Sequence, residues 1–90
     1  MFEGNVMFIG KKPIMSYVLT AIPKLEELGG LTVRARGMSI SKAVDVALIT
    51  VDRSKGEVRM GEIGINTEVL PGADGNPLNV SSIKISLIRP

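Results

Sequence analysis

A short apolar segment passes directly into an amphipathic helix through the residues Gly10-Lys11-Lys12-Pro13. The run from Asn5 to Ile9 is typical of a buried strand, and Pro13 suits the first position of a helix because it has no N–H group to leave unpaired. A helix start carries partial positive charge, so two lysines there are unfavourable unless an anion lies between them. This junction therefore predicts a strand, a helix and a bound phosphate; the alternative is that both lysines simply extend into water.

The first helix is predicted to run from Pro13 to the glycine pair Gly29-Gly30, which ends it. Its apolar stripe contains Ile14, Val18, Ala21, Ile22, Leu25 and Leu28. Pro23 lies inside this pattern, where a proline removes one backbone hydrogen bond, so we expect a kink or a break there.

A second strand and helix follow. Leu31 to Arg36 alternates, with Leu31, Val33 and Ala35 on one face and Thr32, Arg34 and Arg36 on the other, as in a strand with one polar face. We expect Ser39 to cap the next helix. The apolar stripe of that helix contains Ile40, Val44, Ala47, Leu48 and Val51.

The last third of the chain predicts a long hairpin. Glu57 to Leu70 is a strand whose apolar phase changes, which indicates a bulge at Gly61. Residues 71–77 are rich in turn-forming residues, and Val80 to Ile88 returns as a strand.

The order strand, helix, strand, helix, strand, strand predicts a single domain over residues 1–90, with a two-layer α/β sandwich and a mixed four-stranded sheet. Strand–helix–strand units are right-handed, so the first two strands should be parallel and both helices should begin at one edge of the sheet. Lys11, Lys12, Arg36 and Lys42 would then converge. Because these cations repel one another, their convergence favours a polyanionic partner.

Composition narrows the function. Apolar residues are 44% of the 90 residues, but only 3% are aromatic, which favours a dimer that buries the apolar surplus. With no cysteine or histidine the common nucleophile–base pairs and nearly all zinc sites are excluded, and we expect neither an enzyme nor a metal or cofactor. No signal peptide or membrane span is apparent, which predicts a cytoplasmic protein without a membrane partner.

Tyr17 is the only tyrosine and lies one helical turn beyond Pro13. It is a candidate for contact with a sugar or for stacking on a base, but partial packing in the core is the simpler interpretation because one ring does not make a stacking platform.

The residues Ile9-Gly10-Lys11-Lys12-Pro13, Tyr17-Val18, Ala35-Arg36-Gly37 and Ile40-Ser41-Lys42-Ala43-Val44-Asp45 together resemble the archaeal chromatin protein family Alba. The resemblance covers nearly the whole chain. It implies the sandwich fold also found in the C-terminal domain of translation initiation factor three. It further implies a chromosome-associated dimer that binds and compacts double-stranded DNA without sequence preference and that, in many members, binds RNA as well.

The resemblance also implies residue roles. Lys11 matches a lysine that is reversibly acetylated to weaken DNA binding, which implies a lysine acetyltransferase and a deacetylase as partners. Lys12 matches a phosphate contact, and Arg36 and Lys42 match basic positions that face the DNA, with Arg34 a further candidate on the same strand. The hairpin from Glu68 to Val80 is similar to an arm that reaches toward the minor groove.

This chain departs from the family pattern at two places. The hairpin tip has no arginine and contains Asp74, which puts minor-groove insertion in doubt, and Ser54 stands where many members have a phenylalanine that packs neighbouring dimers together. Two other functions therefore stay open. They are an RNA-binding subunit of a ribonucleoprotein and a heterodimer partner of a paralogous chromatin protein.

Overall fold

The computed structural model describes residues 1–90, in which two helices pack on one face of a mixed five-stranded sheet. The elements are β1 (Phe2–Glu3), β2 (Val6–Phe8), α1 (Ile14–Leu28), β3 (Gly30–Arg36), α2 (Ile40–Arg53), β4 (Arg59–Pro71) and β5 (Pro77–Ile88). The strands lie in the order β1-β2-β3-β5-β4. The predicted sandwich is confirmed, but the predicted count of four strands is wrong, since β1 adds a two-residue strand that is too short to show a periodicity in the sequence.

Strands β2 and β3 are parallel, as the strand–helix–strand pattern predicts, with Met7 opposite Val33 and Phe8 opposite Arg34. Strand β3 then pairs antiparallel with β5, which pairs antiparallel with β4. Helices α1 and α2 therefore follow the carboxyl ends of two adjacent parallel strands and begin at one edge of the sheet.

Helix α1 begins at Ile14, one residue after Pro13, and ends at Gly29, whose φ of 77° requires the freedom of a glycine. The N–H of Gly29 donates a hydrogen bond to the carbonyl of Leu25 at 2.8 Å. The helix continues through Pro23, so of the predicted kink or break the break does not occur. Pro23 and Leu19 are both exposed, so the Leu19 carbonyl that loses its hydrogen bond lies on the side of the helix that water reaches.

The 3₁₀ turn Gly37–Ser39 leads into α2, and Ser39 makes no capping hydrogen bond, contrary to the prediction. A capping residue needs extended backbone angles, whereas Ser39 has φ −88° and ψ −4° because it already belongs to the preceding turn.

The core lies between the helices and one face of the sheet. The predicted alternation of β3 is confirmed, since Leu31, Val33 and Ala35 are buried against the helices. The predicted helix stripes are only partly right, because Leu28 and Leu48 remain 46% and 54% exposed. In α2 the fully covered positions are Ala43, Val46, Ala47 and Thr50. In α1 the buried residues other than Tyr17 belong to the predicted stripe. In α2 only Ala47 of the predicted stripe is fully buried, so the covered face of that helix is turned toward Val46 and Thr50.

The hairpin of β4 and β5 has the predicted bulge, seen as a register shift between Met60 and Ile63. A Cβ atom at Gly61 would lie 2.8 Å from the Cδ1 of Ile88, so the end of the Ile88 side chain would have to move to accept a larger residue there. The half of the hairpin beyond residue 67 is mostly exposed and contributes to a longest dimension of 46 Å. Neither helix of the chain is long and apolar enough to cross a lipid bilayer.

Candidate nucleic-acid interface

The loop that carries the two lysines is fixed at both its N–H and its carbonyl groups. The hydroxyl oxygen of Tyr17 accepts hydrogen bonds from the N–H groups of Gly10 and Lys12, at 2.8 and 3.2 Å. The ammonium of Lys42 donates to the carbonyl oxygens of the same two residues, at 3.0 and 2.9 Å. Four backbone polar groups are thus satisfied by two side chains, one from each helix, and the loop is rigid where it presents Lys11 and Lys12.

The side chains of Lys11 and Lys12 are exposed and form no salt bridge with any carboxylate of the chain. The backbone N–H groups of Gly10 and Lys12 are already used by Tyr17, so an anion at this loop would meet the two ammonium groups and not these two N–H groups. The loop of residues 10–13 is therefore held in place by hydrogen bonds and presents two positive charges, those of Lys11 and Lys12, that no carboxylate of the chain neutralises.

Lys42 has a structural task in addition to its charge. Two of the three N–H groups of its ammonium point to loop carbonyls, which leaves one for another acceptor. Of the four cations expected to converge, the structure brings Lys42 to the loop of Lys11 and Lys12, from the first turn of α2. The fourth, Arg36, is paired with Glu68 instead. The sequence did not predict that Lys42 would hold the backbone of the loop that carries Lys11 and Lys12.

Tyr17 is only 3% exposed and belongs to the core cluster. Its ring cannot stack on a base in this arrangement, which favours the core interpretation from the sequence. The hydroxyl, however, holds the lysine loop. The structure makes Tyr17 a positioning residue for Lys11 and Lys12.

Arg34 and Arg36 lie on the face of β3 that no helix covers, and both approach one carboxylate. The Nη1 atom of Arg36 lies 3.5 Å from Oε1 of Glu68, and the Nη2 atom of Arg34 lies 3.9 Å from Oε2. Glu68 belongs to β4 at the base of the exposed hairpin arm. The arginine pair is therefore partly neutralised within the chain, unlike the lysine pair.

Phe8 is a feature that the sequence patterns did not predict. The continuous apolar run from Asn5 to Ile9 predicts a buried strand, but the ring of Phe8 is 41% exposed on the helix-free face of the sheet. Its register opposite Arg34 brings the guanidinium to 5.9 Å from the ring centroid. Because the two residues of such a parallel pair share a face of the sheet, the polar face of β3 is also the face of Phe8; the register that pairs them comes from the structure and not from the sequence.

The tip of the hairpin carries no cation. The carboxylate of Asp74 accepts hydrogen bonds from the backbone N–H and from the side-chain amide of Asn76, both at 3.0 Å, which closes the turn. These two hydrogen bonds, first the backbone one, hold the pKa of Asp74 below its ordinary value. The tip thus keeps a negative charge at neutral pH.

Ser54 closes the turn after α2. Its hydroxyl donates to the carbonyl of Val51 at 2.7 Å and accepts from the N–H of Val58 at 3.1 Å. The Ser54 side chain is therefore used within its own turn and provides no apolar group for packing against a neighbouring molecule. No group of three or more aspartates or glutamates is arranged to hold a metal ion.

Comparisons with known proteins agree with this geometry. A model of the Alba family matches residues 5–67. The DNA/RNA-binding protein Alba of Methanocella arvoryzae is 45% identical over 89 residues, which cover 98% of this chain and 93% of that protein. The protein of the same name from Thermoplasma volcanium is 44% identical over 90 residues, which cover 99% of this chain and all of that protein.

Solved structures extend the comparison. Alba from Thermoplasma volcanium superimposes with a TM-score of 0.86 at 44% identity, covering 94% of this chain and 100% of that one. ALBA1 from Trypanosoma brucei shares the fold, with a TM-score of 0.76 at 19% identity over 99% of this chain and 72% of that one. On the match over residues 5–67 and the identity to full-length relatives, this chain belongs to the Alba family.

Proposed function

We propose that this chain is an architectural nucleic-acid-binding protein, that residues 1–90 act as one binding domain, and that its principal ligand is double-stranded DNA. The observation that carries the proposal is the rigid loop on which Lys11 and Lys12 stand exposed and without a carboxylate partner. Relatives of this chain are named DNA/RNA-binding proteins, which supports the same ligand class.

Binding proceeds through phosphate groups. Lysine ammonium groups act as point charges that displace counterions from the DNA backbone, which gives affinity without sequence information. No amide side chain stands beside the lysine loop to read a base edge. We propose that this binding includes no chemical step on the nucleic acid and that the protein acts without enzymatic activity. A protein that coats duplex in this way compacts DNA and is found with the chromosome in the cytoplasm.

RNA is the second candidate ligand. The hairpin tip has no cation, which weakens contact with a minor groove, and the names of the relatives include RNA. An RNA-binding subunit of a ribonucleoprotein would use the same lysine loop on a structured RNA.

We propose that the protein binds as a dimer formed along β4. This edge strand exposes Ile63, Ile65 and Val69 in phase on one face, and Ile65 is 82% exposed. A cleft of about 410 Å³ lies between this face and Ile40 of α2. A second copy of this chain would cover the apolar face by presenting the same surface. A paralogue with a matching strand would form the heterodimer instead.

Acetylation of Lys11 is the proposed control. The ammonium is exposed and unpaired, so a lysine acetyltransferase can reach it and a deacetylase can restore it. The acetyl group removes one positive charge from each loop and leaves the Tyr17 and Lys42 contacts intact, because these involve backbone atoms of Gly10 and Lys12.

The test is a binding titration with two unrelated DNA duplexes and a structured RNA at several salt concentrations. We expect similar affinity for both duplexes and a log–log salt slope of about −3 or steeper. The double variant Lys11→Gln/Lys12→Gln should make the slope shallower by about 0.9 for each phosphate that the protein no longer neutralises. The matched control Arg53→Gln/Lys55→Gln removes the same charge at the far end of α2 and should change the slope less.

Two results would contradict the proposal. Equal effects of the two double variants mean that net charge alone, rather than the loop, attracts the nucleic acid. A clear preference for the structured RNA over both duplexes transfers the function to the ribonucleoprotein candidate. The dimer is checked separately by sedimentation of the Ile65→Lys variant, which should be monomeric when the native chain is dimeric.

A further inference from the structure

Phe8 is the most exposed aromatic ring of the three in this chain, since Phe2 is half-buried and Tyr17 is buried. An exposed phenylalanine at the centre of a polar surface has no role in the core. Its neighbours on the helix-free face are Arg34 directly across β3 and Lys84 one strand further, on β5. The ring therefore lies among cations on a surface that no element of the chain covers.

Two adjoining cavities meet at this ring. The first, of about 380 Å³, is lined by Phe8, Ile9 and the loop residues Lys11 and Lys12. The second, of about 240 Å³, is lined by Phe8 and Ile9 again, together with Arg34, Arg36 and Glu68. Phe8 thus stands in the middle of one groove, with the lysine pair on one side and the arginine pair on the other.

A duplex has little use for such a ring, because its bases are stacked on each other and paired. An unpaired base has a free π face, and aromatic side chains and arginine guanidinium planes are the groups on which proteins stack such bases. We propose that Phe8 and Arg34 form a stacking site for one unpaired nucleobase of a single-stranded segment. The phosphates on its two sides contact Lys11 and Lys12 at one end and Arg36 at the other.

This inference extends the proposed function, because it uses the same lysine loop, and it adds a ligand class that the loop alone does not distinguish. A protein with only phosphate contacts favours the higher charge density of a duplex. The stacking site gives single-stranded nucleic acid, or the loop of an RNA hairpin, an additional contact that duplex lacks. The base face is common to RNA and DNA, so the two sugars are compared in the experiment.

The test compares Phe8→Leu with Phe8→Tyr. Leucine keeps an apolar side chain of similar reach but has no π face, whereas tyrosine keeps the face. Affinities are measured for single-stranded RNA and DNA of about 12 nucleotides and for duplex DNA at one salt concentration. We expect Phe8→Leu to weaken single-strand binding about tenfold and duplex binding less than twofold, and Phe8→Tyr to bind like the native chain.

Controls separate this inference from the proposed function. Leu19→Ala removes an exposed apolar side chain from α1, outside the groove, and should change neither affinity. Thermal unfolding verifies that both Phe8 variants are folded.

The inference is overturned when Phe8→Leu leaves single-strand binding unchanged, or when it weakens duplex and single strand equally. It is also overturned when tyrosine fails to replace phenylalanine in a folded protein. If the native chain does not bind duplex DNA, the proposed function is overturned instead. Single-strand binding that depends on Phe8 can still be measured in that case.

Discussion

The ammonium of Lys42 lies 2.9 Å from the carbonyl oxygen of Lys12, so one cation of the candidate interface fixes the backbone of another. The same ammonium also bonds the carbonyl of Gly10, at 3.0 Å. Hydrogen bonds from a charged donor are about twice as strong as neutral ones, and these two close the loop from the α2 side while Tyr17 holds it from the α1 side. The relationship predicts that Lys42 contributes to stability in the absence of any nucleic acid.

Replacing Lys42 by methionine keeps the length of the side chain and removes both hydrogen bonds. We expect the free energy of unfolding to fall by about 1–3 kcal/mol, because two loop carbonyls lose their charged donor. Chemical denaturation of the free protein measures this change. Lys11→Met, which removes an equal charge but no hydrogen bond, should stay within about 0.5 kcal/mol of the native chain. Equal effects of the two variants would mean that the Lys42 contacts contribute nothing.

Glu68 lowers the charge that the arginine pair offers to a phosphate. The change Glu68→Gln removes the carboxylate that lies 3.5 Å from Arg36 and 3.9 Å from Arg34. We expect tighter duplex binding at low salt and a salt slope steeper by up to about 0.9 for each arginine that is released to a phosphate. The free energy of unfolding of Glu68→Gln should be lower than that of the native chain by at most about 1 kcal/mol, because both salt bridges are partly exposed.

Glu57→Gln is the matched control for this prediction. It removes the same charge and breaks a comparable exposed salt bridge, in which Glu57 lies 3.6 Å from Arg89 at the other end of the sheet. Its salt slope should equal that of the native chain. If both glutamine variants bind duplex alike, the effect of Glu68 is one of net charge and the arginine pair does not contact phosphate.

The hydroxyl of Thr50 is buried in the core and has no hydrogen-bond partner. Thr50→Val replaces this hydroxyl by a methyl group of nearly the same shape and keeps the β-branched side chain. We expect stabilisation by about 1 kcal/mol, which corresponds to a rise in melting temperature of about 4–8 °C in a domain of this size. Calorimetry measures it. An unchanged or lower melting temperature would mean that the hydroxyl is satisfied in the native protein.

Asp74 makes the hairpin tip sensitive to acid. The hydrogen bonds from Asn76 favour the charged carboxylate and lower its pKa in the folded state. The stabilisation of the turn is therefore present above the pKa of an aspartate in the unfolded chain, and it is lost as the pH falls through the lower, folded value. Titration by NMR in the native and the urea-unfolded protein should give the lower midpoint for the native state.

The variant Asn76→Ala tests the cause of that shift. It removes the side-chain donor and keeps the backbone N–H, so the midpoint of Asp74 should move part of the way back toward the unfolded value. A midpoint that does not move would assign the whole shift to the backbone hydrogen bond.

Local patterns in the sequence predicted both helices and the four longer strands, but not the two-residue strand β1 or the 3₁₀ turn Gly37–Ser39. Alternation identified β3, helical spacing identified α1 and α2, and the phase change at Gly61 identified the bulge. The same patterns were misleading where the burial or the backbone conformation of a residue depends on a neighbouring element, because a single segment of sequence does not specify what packs against it. Leu48 fits an apolar stripe but remains exposed, and Ser39 fits a capping position but belongs to a turn.

The candidate site, too, was predictable from the sequence only in part. Chain order was enough to predict the fold class, the parallel pair of strands and the approach of the lysines, because handedness and helix polarity follow from it. The contacts that each cation makes could be seen only in the folded chain. The pairing of Lys42 with loop carbonyls 30 and 32 residues away, the capture of Arg34 and Arg36 by Glu68, and the exposure of Phe8 all depend on distances between elements, which residue spacing along the chain does not contain.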